Sequence, residues 1–468
     1  MNRSIQNHTF TELKVGDTAS IAHTLTYKDI EVFAIMSGDI NPANVDQAFA
    51  KTDTFHKLVG HGMWGGALIS AVLGTDLPGP GTIYLGQSLE FRTPIALGDT
   101  ITVTLKLTQK IEENHQVVFD CQARNQSGEL VITGTARAIA PTEKICREPV
   151  SLPEIELVEK GKHHRQIIAK TEGWKPIRTA VVHPVDTVSL LGAVEAAKAN
   201  LIIPVLVGPE GKIRAAAQLA QLDLSAYEVV SMENSGAASF RAVAMVREAK
   251  VEALMKGALH TDELMHAVVD PQHGIRTERR MSHVLVMDVA SYPRPLFITD
   301  AAINIFPTLD DKLDIVQNAI DLAHALGLTL PKVAILSAEE TVRSKIPSTV
   351  EAGALCKMAD RGQITGGILD GPLAFDSAVS LEAAITKGII SQVAGQADIF
   401  VVPDLEAGNM LAKQLEYLAG AEVAGIVLGA RVPIILTSRA DKPLTRLSSC
   451  ALALLWVHYQ QSAKASAA

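Results

Sequence analysis

The apolar residues of this chain change their rhythm once, and that change limits what the chain can fold into. Up to residue 140 the dominant period is two. Over 100–107 the chain reads TITVTLKL, with every second side chain apolar, as a half-buried antiparallel strand requires. Strands are expected over 83–91, 99–110, 116–125 and 129–138, with a helix-rich segment at 27–36 and a helix of small residues at 62–73. A single apolar helix wrapped by a curved antiparallel sheet fits this order. Gly65 and Gly66 weaken that helix, so another backbone is expected to pack close to it. From 141 to 175 the composition turns charged and polar, with Pro149, Pro153 and then Pro176, which marks a linker carrying a short helix at 154–170.

From residue 179 short apolar runs alternate with helical stretches. Strands are expected at 179–183, 203–207, 228–231, 253–255, 332–337, 367–370, 399–403, 425–428 and 433–437, with helices such as 310–326 and 381–389 between them. That alternation predicts a mainly parallel sheet of the α/β class. Two apolar hairpin strands, 283–289 and 295–299, interrupt it and predict two subdomains. The expected domains are 1–140, a linker at 141–175, and 176–468.

A chain of 468 residues exceeds one ordinary domain, and its 47% hydrophobic and 20% charged residues suit a water-soluble protein with sizeable cores. No apolar run has the length of a membrane span. The start, MNRSIQNHTF, lacks the charged-then-apolar order of a secretory signal. Cys121, Cys146, Cys356 and Cys450 have no paired spacing, which argues against a disulfide framework or a zinc site. A cytoplasmic location and no metal are therefore expected. The net charge of -9 disfavours nucleic acid as a partner but leaves room for anionic small substrates held by local cations. No G-x-G-x-x-G opens a helix after a strand, and no phosphate-binding G-x-x-x-x-G-K-[ST] is present.

Two sets of motifs carry chemistry. The first is SGDINPANVDQAFAKTDTFHKLVGHGM at 37–63. Adding water to an enoyl thioester needs a base for the water, an acid for the α carbon, and donors for the enolate-like oxygen. Asp39 can act as acid/base, and the free N–H groups of a helix opening at Gly62 can face a thioester carbonyl. The segment resembles the active-site stretch of the MaoC-like (R)-specific enoyl-CoA hydratases, in which D-x-N-P-x-H carries the catalytic Asp and His. The resemblance extends over residues 15–138. It implies a hot-dog fold, an acid/base role for Asp39, a carbonyl-donor role for Gly62 and an orienting hydroxyl at Ser70. Asp39, Asn41 and Pro42 match, but Asn44 occupies the histidine position. A carboxamide transfers no proton near neutral pH, and losing such a group typically lowers rate by about 10²–10⁴. His56 and His61 are read as structural.

The second set is spread over 170–462: Met255-Lys256-Gly257, GIRTERRMSHV at 274–284, DGPLAFD at 370–376, PDLEAGN at 403–409 and TSRAD at 437–441. Arg439 can make bidentate contacts to phosphate or a carbonyl oxygen. Ser438 can hydrogen-bond sulfur or phosphate, and both follow an apolar strand, where α/β sheets place ligands. In order and spacing these segments resemble the phosphate acetyl/butyryltransferases, with the butyryl branch read as the closer match. The resemblance implies transfer of an acyl group between coenzyme A and inorganic phosphate. Ser438 and Arg439 would then be catalytic, with Lys256, Arg276, Asp370, Gly371, Gly408 and Asn409 binding substrate. Arg279 and Arg280 add further positive charge. The acetyl branch has an Asp seven residues beyond this Ser as base for the thiol; here that position is Thr445, and Asp441 is the substitute candidate. Met265 and His266 stand where that branch has an Arg.

The expected protein is an α+β hot-dog domain followed by an α/β region of two subdomains with mainly parallel sheets. It would be a bifunctional homo-oligomer using CoA thioesters and phosphate as substrates, with no tightly bound cofactor and no nucleic-acid or membrane partner. The alternative is an acyl-CoA-binding or regulatory protein with a degenerate hydratase domain.

Overall fold

The alternating run at 100–107 forms part of a central strand in the first of two compact units, which divide after Leu157. The computed structural model describes residues 4–148, 150–155, 157–436 and 441–467. In the first unit β1 (Thr18–Thr24), β2 (Ile83–Phe91), β3 (Thr100–Ile111), β4 (Gln116–Arg124) and β5 (Leu130–Ile139) form a five-stranded antiparallel sheet in the order β1-β3-β4-β5-β2. Ile101, Val103, Leu105 and Leu107 are all fully buried, as a period-two strand with one face on a core requires. They share a cluster with Trp64, Ile69, Val72 and Leu73 of the apolar helix, so one helix lies against the sheet in the hot-dog arrangement. The edge strand β1 was not anticipated. Only Ala19 and Ile21 of TASIAHT pack against the core, too weak an alternation to read.

Before that helix come α1 (Tyr27–Ser37) and α2 (Pro42–Val45); the apolar helix itself is α3 (Gly62–Thr75). Its glycines are explained by side chains and not by a neighbouring backbone. A Cβ on Gly65 would lie 2.3 Å from the Ile132 side chain, and one on Gly66 would meet only Met63 and Leu89 side chains at 3.2–3.6 Å. Gly134 is the place of close backbone approach: a Cβ there would fall 2.0 Å from the Ser88 carbonyl oxygen. At the start of the expected linker, Cys146–Arg147 pairs antiparallel with Ile5–Gln6, while α4 (Lys162–Ala169) belongs to the second unit.

The second unit contains β6 (Ile177–Val182), β7 (Ile202–Gly208), β8 (Glu228–Ser231), β9 (Ala253–Lys256), β10 (Ser282–Asp288), β11 (Leu296–Thr299), β12 (Lys332–Leu336), β13 (Ile368–Leu373), β14 (Ile399–Val401), β15 (Glu422–Leu428) and β16 (Ile434–Ile435). They build one continuous eleven-stranded sheet in the order β8-β7-β6-β9-β16-β15-β10-β11-β14-β12-β13. The first five are mutually parallel, as are the last four. The two parallel halves are joined through antiparallel β15 and β10, the latter being the first hairpin strand of the sequence reading. Apolar clusters on this sheet include continuous buried runs such as Ala180-Val181-Val182 and Val205-Leu206-Val207, the mark of strands covered on both faces.

Two helices matter for the site, α5 (Leu405–Tyr417) and α6 (Pro443–Ala467). In α6 the consecutive residues Cys450 to Leu455 are all buried, so this part of the helix runs through the core with every side covered. No helix among the described residues is long and apolar enough to cross a membrane.

The glycine contacts yield a paired prediction. Gly134→Ala is expected to destabilise the first unit by about 2–3 kcal/mol, because backbone cannot yield as a side-chain tip does. Gly66→Ala should be neutral or stabilise by up to about 1 kcal/mol through helix propensity. Urea denaturation of the two variants checks this, and equal effects would contradict it.

Candidate functional site

In the first unit the chain leaves α1 through Gly38 in the left-handed region (φ 76°) and turns into the Asp39 loop. The Asp39 carboxylate is exposed and accepts the Asn41 N–H at 3.2 Å. Asn41 caps α2 by accepting the Ala43 N–H at 3.2 Å, with Pro42 as the first helical residue. The D-x-N-P pattern thus builds its own loop. Asn44 is only 7% exposed, and its Nδ2 donates to the Val59 carbonyl at 2.8 Å. His61, 3% exposed, donates from Nε2 to the Asp39 carbonyl at 2.9 Å. Its Nδ1 has no hydrogen-bond partner. Because His61 precedes Gly62, this bond ties the Asp39 loop to the start of α3. Gly62 is exposed, with no side-chain cap over the helix end. Ser70 is also exposed, two turns farther along α3, and is not brought to Asp39 by any described hydrogen bond.

In the second unit a cavity of about 450 Å³ opens on one face of β10 and β15, walled by α5 and the start of α6. Asn409 and Asp441 line it, together with Leu436, Thr445 and Ser449. The PDLEAGN segment folds into the α5 start for local reasons. Asp404 caps the helix by accepting the Ala407 N–H at 2.8 Å, and Gly408 allows a close approach: a Cβ there would lie 3.0 Å from the Asp300 carbonyl. That brings Asn409 Nδ2 to donate to the Ala301 carbonyl at 3.3 Å. Ser449 accepts the Gly425 N–H at 3.1 Å and donates to the Thr445 carbonyl at 3.0 Å, stitching α6 to β15. Lys442 pairs with Glu422 at 2.6 Å and Lys413 with Glu416 at 2.8 Å, so the rim carries balanced charge. Ser438 and Arg439 lie outside the described residues, whereas Leu436 and Asp441, on either side of 437–440, both line the cavity.

The other expected site residues stand elsewhere. Lys256, at the end of β9, donates to the Leu259 carbonyl at 3.3 Å. Arg276 is exposed, in an isolated bridge with Ala430. Asp370 accepts the N–H of Gly371 at 2.8 Å, and a Cβ on Gly371 would lie 2.8 Å from Ile335. That turn packs against the helix bearing Cys356, whose thiol burial pushes up to about 12. Arg279 is held by Asp321 at 2.5 Å, and Arg280 by Asn304 at 2.7 Å. None of these lines the cavity.

The residue that sequence reasoning passed over is His283, which lies on the cavity floor and is 6% exposed. Neither ring nitrogen has a hydrogen-bond partner. Burial pushes its pKa below the ordinary histidine value, against an opposing pull from the Asp300 carboxylate. The signal for it was a lone histidine entering an otherwise apolar strand, HVLVM. A larger cavity of about 720 Å³ lies on the other side of α5, but its lining, from Leu336 and Phe375 to Leu418, includes no charged group. Its polar side chains are Ser337 and Gln414, whereas the smaller cavity is lined by charged groups as well. No group of three or more His, Cys, Asp or Glu able to hold a metal occurs among the described residues.

Comparison with known proteins gives two family matches on one chain. Residues 235–454 match the phosphate acetyl/butaryl transferase family, and residues 12–126 match the MaoC like domain. A phosphate acetyltransferase of Rhizobium meliloti is 61% identical over 64% of this chain and 96% of its own. A phosphate butyryltransferase of Clostridium acetobutylicum is 40% identical over 63% of this chain and 98% of its own. A branched-chain phosphotransacylase from Enterococcus faecalis superposes with a TM-score of 0.54 at 29% identity, covering 60% of this chain and 99% of that one. The identities correct the expectation of a closer butyryl match, since the acetyl-named relative stands above the butyryl-named one.

Two buried histidines give the second unit a pH dependence. His164 Nε2 donates to the Val286 carbonyl at 3.1 Å, and burial lowers its pKa below 6.5, as it does for His283. A depressed histidine pKa means that the unfolded chain binds more protons, so this stability is complete above the unfolded value and declines as pH falls through it. Urea midpoints are expected to be lower at about pH 5.5 than at about pH 7.5; a rise on acidification would contradict it.

Proposed function

The chain belongs, through its second unit, to the phosphate acetyl/butyryltransferase family, and from that membership we propose that the cavity between β10, β15, α5 and α6 is where an acyl group passes between coenzyme A and phosphate. The observation that carries the reading is the convergence of Asn409, Asp441 and His283 on one cavity whose wall includes both neighbours of the 437–440 segment. In the acyl-CoA direction, a phosphate oxygen attacks the thioester carbonyl carbon, a tetrahedral oxyanion forms, and the C–S bond breaks to release CoA. The Arg439 guanidinium suits a dianionic phosphate or the developing oxyanion through paired N–H donors. The Ser438 hydroxyl hydrogen-bonds sulfur or phosphate. Asn409, anchored at Ala301, retains a second Nδ2 hydrogen and its carboxamide oxygen for orienting substrate. Lys256, Arg276 and the Asp370-Gly371 turn act at a distance from this cavity, on the CoA body or on the fold.

The first unit carries a MaoC-like domain, and we assign it acyl-CoA binding with hydration weakened by Asn44. Two observations support this. The Asn44 Nδ2 is engaged by the Val59 carbonyl, and the remaining acid/base group of the motif, Asp39, is an exposed carboxylate. A homo-oligomer in the cytoplasm is part of the same reading.

Release of CoA from acetyl-, propionyl- and butyryl-CoA is expected to require phosphate, and Arg439→Ala to lower the rate by about 10²–10³. CoA release that ignores phosphate would overturn the transferase reading of this cavity. For the first unit, Asn44→His should raise hydration of a short enoyl-CoA by about 10² or more. A rate unchanged by that substitution would mean that Asn44 does not limit hydration.

A further inference from the structure

A buried imidazole with two unpartnered nitrogens needs a reason, because each unsatisfied polar group costs about 1–3 kcal/mol. His283 is such a group, and the strand beside it is shaped to hold it. Gly425 stands in the interior of β15, where glycine is unfavourable. A Cβ at that position would lie 2.8 Å from His283 Cε1 and Nε2. The ring therefore occupies the space that any larger residue at 425 would fill, on the floor of the cavity that Asn409 and Asp441 line. Its backbone is fixed as well: the Thr299 hydroxyl donates to the His283 carbonyl at 2.9 Å.

We infer that His283 is the acid/base group that takes the proton of the CoA thiol, and the inference rests on the phosphate acyltransferase reading of the cavity. Thr445, seven residues beyond Ser438, lines the same cavity but has no group that exchanges a proton near neutral pH. Water-excluding burial keeps the imidazole neutral, so one nitrogen carries a lone pair and the other an N–H. The thiol end of an entering CoA supplies the partner that those nitrogens lack. Asp300 is the carboxylate whose field acts on the ring. It is held in place by N–H groups of Ala302, Ile303 and Asn304 and by the Asn304 side chain. A fixed anion in that position stabilises an imidazolium as it forms.

Written from acyl phosphate and CoA, the step balances. The imidazole nitrogen takes the S–H proton, and the sulfur electron pair forms the C–S bond at the acyl carbonyl. The C–O bond to phosphate breaks, and phosphate leaves with that electron pair. The imidazolium then returns the proton to phosphate. The reverse direction uses the same transfers in opposite order.

The test is steady-state kinetics of the full chain, His283→Asn, His283→Gln and Asp441→Asn with acetyl phosphate and CoA, each protein checked for a cooperative thermal transition. CoA binding is measured by calorimetry. The expected result is a kcat loss of about 10²–10⁴ in both His283 variants, with KM values and CoA affinity within about threefold of the parent. If one His283 variant fails to fold, the other decides. A kcat within about threefold of the parent, or a loss confined to KM and CoA affinity, overturns the assignment. So does a kcat collapse in Asp441→Asn alone. A parent chain without any phosphate acyltransfer would instead remove the underlying reading, and this inference with it.

Discussion

Seven successive residue pairs between β10 and β15, from Ser282↔Leu428 to Asp288↔Glu422, hold the second unit together at its centre. Among the described strands, each parallel half of the sheet reaches the other through this antiparallel seam. The seam is also the floor of the cavity, so the element that unites the two halves is the one on which the proposed chemistry stands. Helix α6 reinforces it from above through Ser449, which bonds the Gly425 N–H. Helix α4 grips its end, where the His163 ring and backbone both bond Asp288. A cavity floor tied on several sides suits a reaction whose barrier falls through preorganised donors and charges rather than through large motions.

Most of the fold was legible because its elements follow local rules. Period-two alternation marked β2 to β5 of the first unit, and apolar runs between helical stretches marked the parallel strands of the second. Where local pattern was weak the reading failed. The edge strand β1 has few apolar residues to announce it, and of the expected strand at 433–437 the described residues form only Ile434–Ile435, with position 437 outside them. Gly65 and Gly66 suggested an approaching backbone, but the tips of Ile132, Ile95, Met63 and Leu89 occupy that space. A glycine in a sequence shows that room is needed and does not show for what.

The candidate site was legible in part. PDLEAGN carries its own cap in Asp404 and its own close approach in Gly408, and these deliver Asn409 to the cavity. DGPLAFD is as plain in sequence, yet Asp370 and Gly371 pack against a neighbouring helix and stay outside the cavity. His283 illustrates the opposite case. Its ring meets Gly425 diagonally across the antiparallel seam, where the register partner of His283 is Val427, and nothing in the local sequence of either strand announces that they meet. In the first unit, the loop tie from His61 to Asp39 likewise joins residues 22 apart, giving a residue read as structural the task of positioning the Asp39 loop.

One unit matches the MaoC like domain and the other the phosphate acetyl/butaryl transferase family, and Asn44 and Thr445 are the positions where the sequence reading expects each to depart from its motif. At the first, the carboxamide is buried and donates to the Val59 carbonyl. At the second, Thr445 has no group that exchanges a proton near neutral pH, and the proposed thiol base, His283, lies on another strand. The most direct test of the account is a crystal structure of the chain with coenzyme A bound. The thiol is predicted to lie in the cavity over β10 and β15, within hydrogen-bonding reach of His283 and beside Asn409. A thiol seated in the apolar cavity under Phe375, or away from both cavities, would contradict it.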